Sequence, residues 1–218
     1  MASGPQGRKR GVVLLCVAAL AGLIAGAVAV YVRQSAEGNA AALADCAGAL
    51  AKAAAIRPLA KGELAAFRVA ERPELLRDLV FKGPDGKESG VAGLAGKTVL
   101  LNLCATWCVP CRAEMPALDR LQAEAGGADF AVVAVNLDVK NPERAQDFLG
   151  EIGVKNLAFY ADPSFALFNT LKSRGLAFGL PTSLLIDGKG CRLGIVEGPA
   201  EWDSQEAKAL IRAAAGPG

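Results

Sequence analysis

Cys108 and Cys111, in the run Trp107-Cys108-Val109-Pro110-Cys111, are the pair in this sequence best placed to do chemistry. The apolar run Thr98–Ala105 before them predicts a strand buried on both faces, and a helix is predicted from about Cys108 to Ala125, with Pro116 inside it. A cysteine in the first turn of a helix meets unpaired backbone N–H groups and the positive end of the helix dipole, which stabilise its thiolate. A second cysteine one turn later can close a disulfide with it. A low-pKa attacking thiol beside a resolving thiol is the arrangement for disulfide exchange through a mixed disulfide. A structural disulfide or half of a metal site shares the spacing, but zinc needs four ligands, and the chain has no histidine and no second CxxC.

The absent histidine also excludes a Ser-His-Asp triad, a Cys-His dyad and an imidazole proton shuttle. It leaves helix-terminus activation of a thiol untouched. Hydrophobic residues make up 52% of the 218 positions and charged ones 21%, a balance that argues against disorder. The formal charge of +2 is unevenly spread. Residues 1–32 carry Arg8, Lys9 and Arg10 and no acid, whereas the remainder holds 21 basic and 22 acidic side chains. That remainder has no net basic character of the kind phosphate neutralisation requires, so no nucleic-acid partner is expected.

Residues 11–32 form 22 positions without a charge, about 33 Å as a helix, enough to cross the hydrocarbon core of a bilayer. The Arg-Lys-Arg cluster before them favours a cytoplasmic N-terminus, and Tyr31 sits where an interfacial aromatic belongs. A cleaved signal peptide, with Ala27-Val28-Ala29 as its processing site, is the competing reading, although its apolar region is normally shorter. Cys16 reads as an ordinary membrane-facing residue. The expected organisation is a cytoplasmic tail (1–10), a transmembrane signal-anchor (11–32), a linker and alanine-rich helix (33–70) and one α/β domain (71–218). The domain would lie outside the cytoplasm, in the periplasm, where disulfides persist.

The alanine-rich helix is predicted from about Asn39 to Ile56, with Leu43, Cys46, Ala47 and Leu50 on its apolar stripe. Residues 75–81 and 87–94 flank the turn signal Gly83-Pro84-Asp85-Gly86 and predict a hairpin. Further along, strands are expected over 130–137 and 157–160, and helices over 142–150 and 163–172. A hairpin over 183–197 and a closing helix over 203–214 complete the pattern. Buried strands separated by helices indicate an α/β layer fold with a parallel strand pair.

The segment LLNLCATWCVPCRAEMPAL resembles the TlpA-type membrane-anchored thiol:disulfide oxidoreductases of the thioredoxin-like superfamily, and the resemblance covers about residues 70–214. The alanine-rich helix with Cys46 and the stretch Gly198-Pro199-Ala200-Glu201-Trp202 bring it close to the rhizobial members. The resemblance implies a thioredoxin fold with a central mixed sheet, Cys108 as nucleophile and Cys111 as resolving thiol. It implies a cis peptide before Pro181 and a substrate-binding surface made by Trp107, Val109, Pro110, Leu180 and Pro181. It also raises Glu114, three residues beyond Cys111 on the same helix face, to a residue that relays a proton or tunes the thiol pKa. Asn102 occupies the strand position where thioredoxin has a buried aspartate.

Cys46 and Cys191 form the natural second disulfide, structural in purpose, tying the added helix to the domain. Cys104 stands where the family usually has tryptophan and reads as a small buried hydrophobe. The implied function is reduction of client disulfides in cytochrome biogenesis, foremost in assembly of the copper centre of cytochrome oxidase. The clients would be a copper chaperone or an oxidase subunit, or an apocytochrome, with a membrane protein as electron donor and no small-molecule cofactor or metal. Two alternatives remain open. One is a Cu(I) metallochaperone using Cys104, Cys108 and Cys111, since soft thiolates suit Cu(I); the other is a disulfide-forming oxidant on the same fold.

Overall fold

The computed structural model describes residues 22, 25–31, 33, 46–139 and 142–216, in two units, Met1–Ala44 and Asp45–Gly218. In the first unit residues 25–31 are helical and exposed. Most of the span expected over 11–32 lies outside the described residues, as does the 39–45 portion of the expected alanine-rich helix. Among the described residues no helix is long and apolar enough to cross a membrane.

The second unit is a helix, α1 (Ala47–Ile56), followed by the short strands β1 (Arg68–Val69), β2 (Val80–Lys82) and β3 (Glu88–Gly90). An alternating series then runs β4 (Thr98–Cys104), α2 (Val109–Ala125), β5 (Phe130–Asn136), α3 (Pro142–Glu151), β6 (Tyr160–Ala161) and α4 (Ala166–Ser173). It closes with β7 (Thr182–Ile186), β8 (Arg192–Glu197) and α5 (Gln205–Ala215). The strands make one mixed sheet in the order β1-β8-β7-β4-β5-β6-β2-β3. β4, β5 and β6 are parallel, as helical crossovers require, and β7 and β8 return antiparallel through a tight turn.

Strand parity sorts the core into two layers. Val99, Leu101 and Leu103 of β4 point to the face covered by Leu167, Phe168 and Leu171 of α4. Leu100 and Cys104 point to the opposite face, against Met115 and Leu118 of α2 and Leu210 and Ile211 of α5. Asn102 shares the parity of Leu100 and Cys104, so the period of two aims its polar side chain at α2. Ser183 of β7 lies opposite Asn102 in register and shares that face with Leu185.

Four expectations need correction. The buried face of α1 is Cys46, Ala49, Ala53 and Ile56, while Leu50 is 48% exposed, so Cys46 and Leu50 do not share a stripe. The hairpin of 75–81 and 87–94 shrinks to β2 and β3, because residues 91–94 turn into a 3-10 helix and Leu75 instead bridges Cys191. β6 falls at 160–161 rather than 157–160. The backbone N–H groups of Lys155, Asn156 and Leu157 donate to the Asp119 carboxylate on α2 and are lost to a strand ladder. α4 starts at Ala166 rather than Pro163, because Asp162 accepts from Ser164 N and Leu167 N and holds the chain in a local turn, with Phe165 at φ 60°. The two-residue β1 carries no periodicity to detect. It fits onto β8 at Gly194, where an added Cβ would lie 2.3 Å from the Phe67 ring.

The two ends of the sheet have different tasks. The C-termini of β4 and β5 and the N-terminus of β7 share one end, where Leu103 pairs with Thr182 and Cys104 with Asn136. Cys108 follows from that end and Pro181 precedes it. Cys191, before β8, lies at the other end and is joined to Cys46 by a disulfide with a Cα–Cα distance of 5.6 Å and a sequence separation of 145. Closing so long a loop restricts the unfolded chain by about 2–5 kcal/mol. Replacing both Cys46 and Cys191 with Ala is expected to lower the unfolding free energy in urea by that amount and to leave formation of the Cys108–Cys111 disulfide, read by thiol alkylation, intact.

Candidate active site

β4 ends at Cys104, and the turn Ala105–Trp107 leads directly into α2. Asp138, just past β5, pins this turn by accepting from Thr106 N at 3.1 Å and from Asn136 Nδ2 at 2.9 Å. Cys108 is the N-cap of α2, and its sulfur accepts the backbone N–H of Cys111 at 3.3 Å, the position an oxygen cap normally fills. Pro110 sits in the first turn, where a missing N–H leaves no bond unmade. Cys108 and Cys111 are joined by a disulfide across a Cα–Cα distance of 5.3 Å. Cys108 is 5% exposed and Cys111 1%, so an incoming sulfur reaches Cys108 first.

The rim is apolar and open. Trp107 is 66% exposed and Val109 74%, an exposure that plain packing does not explain. Leu180 and Pro181 precede β7 at the same end of the sheet, and their peptide bond is cis. Thr182 and Ser183 beyond them are fully buried.

Glu114 lies beneath the disulfide on α2, 4% exposed. Its carboxylate accepts from Asn102 Nδ2 at 2.7 Å and from Ala200 N at 3.2 Å, and Asn102 Nδ2 is also shared with Ser183 Oγ at 2.9 Å. Burial pushes the Glu114 pKa up to about 7, against the bonds from Asn102 and Ala200, which favour the anion. A pocket of about 310 Å³, lined in part by Glu63, Glu114 and Glu201, opens to this carboxyl group. Glu114 thus holds a buried carboxyl group with a raised pKa one helical turn from Cys111. The partners Asn102, Ser183 and Ala200 were not anticipated. Strand parity and register carry the signal for the first two; a backbone donor such as Ala200 leaves none.

Cys104 is a buried free thiol whose sulfur donates to Val135 O at 3.5 Å. Burial, then the charges of Glu114 and Asp138, push its pKa far above the ordinary thiol range. The cavity it shares with Cys111 and Met115 holds about 10 Å³, at most about a single water molecule.

A CxxC disulfide capping the helix that follows the central parallel strand, with a proline at the facing end of an antiparallel strand, defines the thioredoxin-like class of the thiol:disulfide oxidoreductases. A family model described as Redoxin matches residues 71–211, and the chain belongs to that family. It is 35% identical over 116 residues to the thioredoxin-like protein YneN of Bacillus subtilis, covering 52% of this chain and 64% of that one. It is 33% identical over 108 residues to the thiol:disulfide interchange protein HelX of Rhodobacter capsulatus, covering 50% and 56%. The chain thus spans less than two thirds of the length of these curated relatives. Among solved structures it is similar to a Chlorobium tepidum chain described as a candidate thiol:disulfide interchange protein DsbE. That match has 34% identity and a TM-score of 0.52 and covers 63% of this chain and 92% of that one.

The raised carboxyl pKa has a measurable consequence. Folding favours protonated Glu114, so its contribution to stability is full below the ordinary value of 4.5 and is lost as the pH rises through about 7. The unfolding free energy is expected to fall by up to about 3 kcal/mol across that window. Glu114→Gln, which cannot ionise, is expected to flatten this part of the urea-unfolding profile. A profile of unchanged slope would refute the assignment.

Proposed function

We propose that this chain reduces disulfides in client proteins as a membrane-anchored oxidoreductase of the TlpA type. The observation that carries the reading is Cys108 at the cap of α2, its sulfur bonded to the Cys111 N–H and ringed by exposed Trp107 and Val109. In the reduced protein the Cys108 thiolate attacks one sulfur of a client disulfide. The S–S bond breaks, the second client sulfur leaves as a thiolate and takes up a proton, and a mixed disulfide remains. Cys111 then loses its proton, with Glu114 as the nearby acceptor, and attacks the Cys108 sulfur. The client leaves as a dithiol and Cys108–Cys111 is oxidised, so two electrons and two protons have moved to the client. A membrane protein carrying electrons is the expected source of the next pair.

Residues 11–32 supply the anchor in this reading, with 1–10 in the cytoplasm, 33–70 as linker and added helix, and 71–218 as the periplasmic domain. The names of HelX and of the DsbE-type relative support disulfide interchange. The resemblance of the sequence to the rhizobial TlpA proteins favours clients in assembly of the oxidase copper centre, a copper chaperone or oxidase subunit, with an apocytochrome as the other class. Cys104 speaks against copper carriage by this chain. A protonated thiol sealed in the core and donating to Val135 O is a poor third ligand for Cu(I).

Full-length Cys111→Ser protein, incubated with an oxidised client fragment, is expected to accumulate a dithiothreitol-sensitive mixed disulfide through Cys108. Cys108→Ser is expected to trap nothing. Trapping through Cys104, or equal trapping by both variants, would overturn the assignment of roles.

A further inference from the structure

Beside the disulfide, on the side away from Pro181, lies an open groove of about 540 Å³. Its walls are the exposed face of Trp107, with Phe148 of α3 and Phe165 before α4. Two arginines stand at the groove, Arg112 directly after Cys111 and Arg144 in the first turn of α3. Arg112 lies with its guanidinium 4.6 Å from the centre of the Phe148 ring, which fixes it against an aromatic floor. Among the described residues neither arginine is in an ion pair, whereas four other arginine and lysine side chains of the domain are held by carboxylates within 3 Å.

The acids at the groove do not neutralise this pair. Asp138 is 6% exposed, and its carboxylate is occupied by Thr106 N and Asn136 Nδ2. Glu151 is seven residues beyond Arg144 on α3, about 10 Å further along the axis. α3 leaves from the end of the sheet that carries the disulfide, so Arg144 is at the near end of the groove and Glu151 at the far end. The groove thus offers two guanidinium groups, outside any ion pair among the described residues, over a surface made of aromatic rings.

We infer that this groove selects clients in which the target cysteine is flanked by an apolar residue and a carboxylate. The apolar side chain packs on Trp107 and Phe148, and the carboxylate meets Arg112 and Arg144. The inference rests on the reductase reading above and adds a substrate preference to it. Charge pairs of this kind act on encounter rate and register more than on affinity, and salt screens them. The preference therefore belongs in the second-order rate constant and fades at high ionic strength.

The test uses the reduced full-length chain in detergent micelles and three cyclic disulfide peptides. They carry Leu on one side of the target cysteine and Asp, Asn or Lys on the other. Each rate is divided by the rate with dithiothreitol, because a neighbouring charge alters the leaving thiol's own reactivity. The Asp peptide is expected to react about tenfold faster than the Lys peptide at low salt, with Asn between them. The ratio is expected to fall below about twofold in 0.5 M NaCl and in the Arg112→Gln/Arg144→Gln protein. Equal rates for Asp and Lys, or a preference that survives both treatments, would overturn the groove while leaving the reductase intact. Failure to reduce any of the three would overturn the reductase reading and the groove with it.

Discussion

The sulfur of Cys108 occupies the position of a helix cap, and the architecture around it serves to hold that one contact. A capping sulfur that accepts the Cys111 N–H shares in the positive end of α2, so negative charge on it is stabilised before any client arrives. The cap exists because α2 begins where the parallel strand β4 stops, and because Asp138 clamps the intervening turn through Thr106 N. The three-layer packing, with α2 and α5 on one face and α4 on the other, keeps that junction fixed.

Two groups act on the pair in opposite directions. The helix terminus stabilises the reduced, anionic form and by itself makes the disulfide easier to reduce, hence a better oxidant. In the proposed reading Glu114, buried one turn beyond Cys111 with its pKa pushed up to about 7, opposes a thiolate there once it is ionised. In that reading it favours the disulfide and makes the dithiol the better electron donor. Asn102, whose amide also donates to Ser183 on the neighbouring strand, holds the carboxyl group in place.

Much of this was legible in the residues. The length and apolarity of β4 and β5, the CxxC spacing at a strand-to-helix junction and the hairpin pattern over 183–197 identify the layers and the redox pair without coordinates. Glu114 was legible as a helix-face neighbour, but its environment depends on strand parity and cross-strand register, which bring Asn102 and Ser183 under it. The misplaced boundaries of β6 and α4 share a physical origin. Asp119 and Asp162 capture backbone N–H groups through their side chains, and such long-range and local capping overrides periodicity. The groove at Trp107 was not legible at all, because Arg112, Phe148 and Phe165 come from separate elements and meet only in the folded chain.

The central claim is that the Cys108–Cys111 dithiol gives electrons away. Its most direct test is the reduction potential of this pair in the full-length protein, equilibrated in glutathione buffers and read by alkylation of the peptide that contains both cysteines. The account predicts a potential near or below about −200 mV, in the range of glutaredoxins and thioredoxin. A potential near about −120 mV, that of a strong disulfide-forming oxidant, would contradict it.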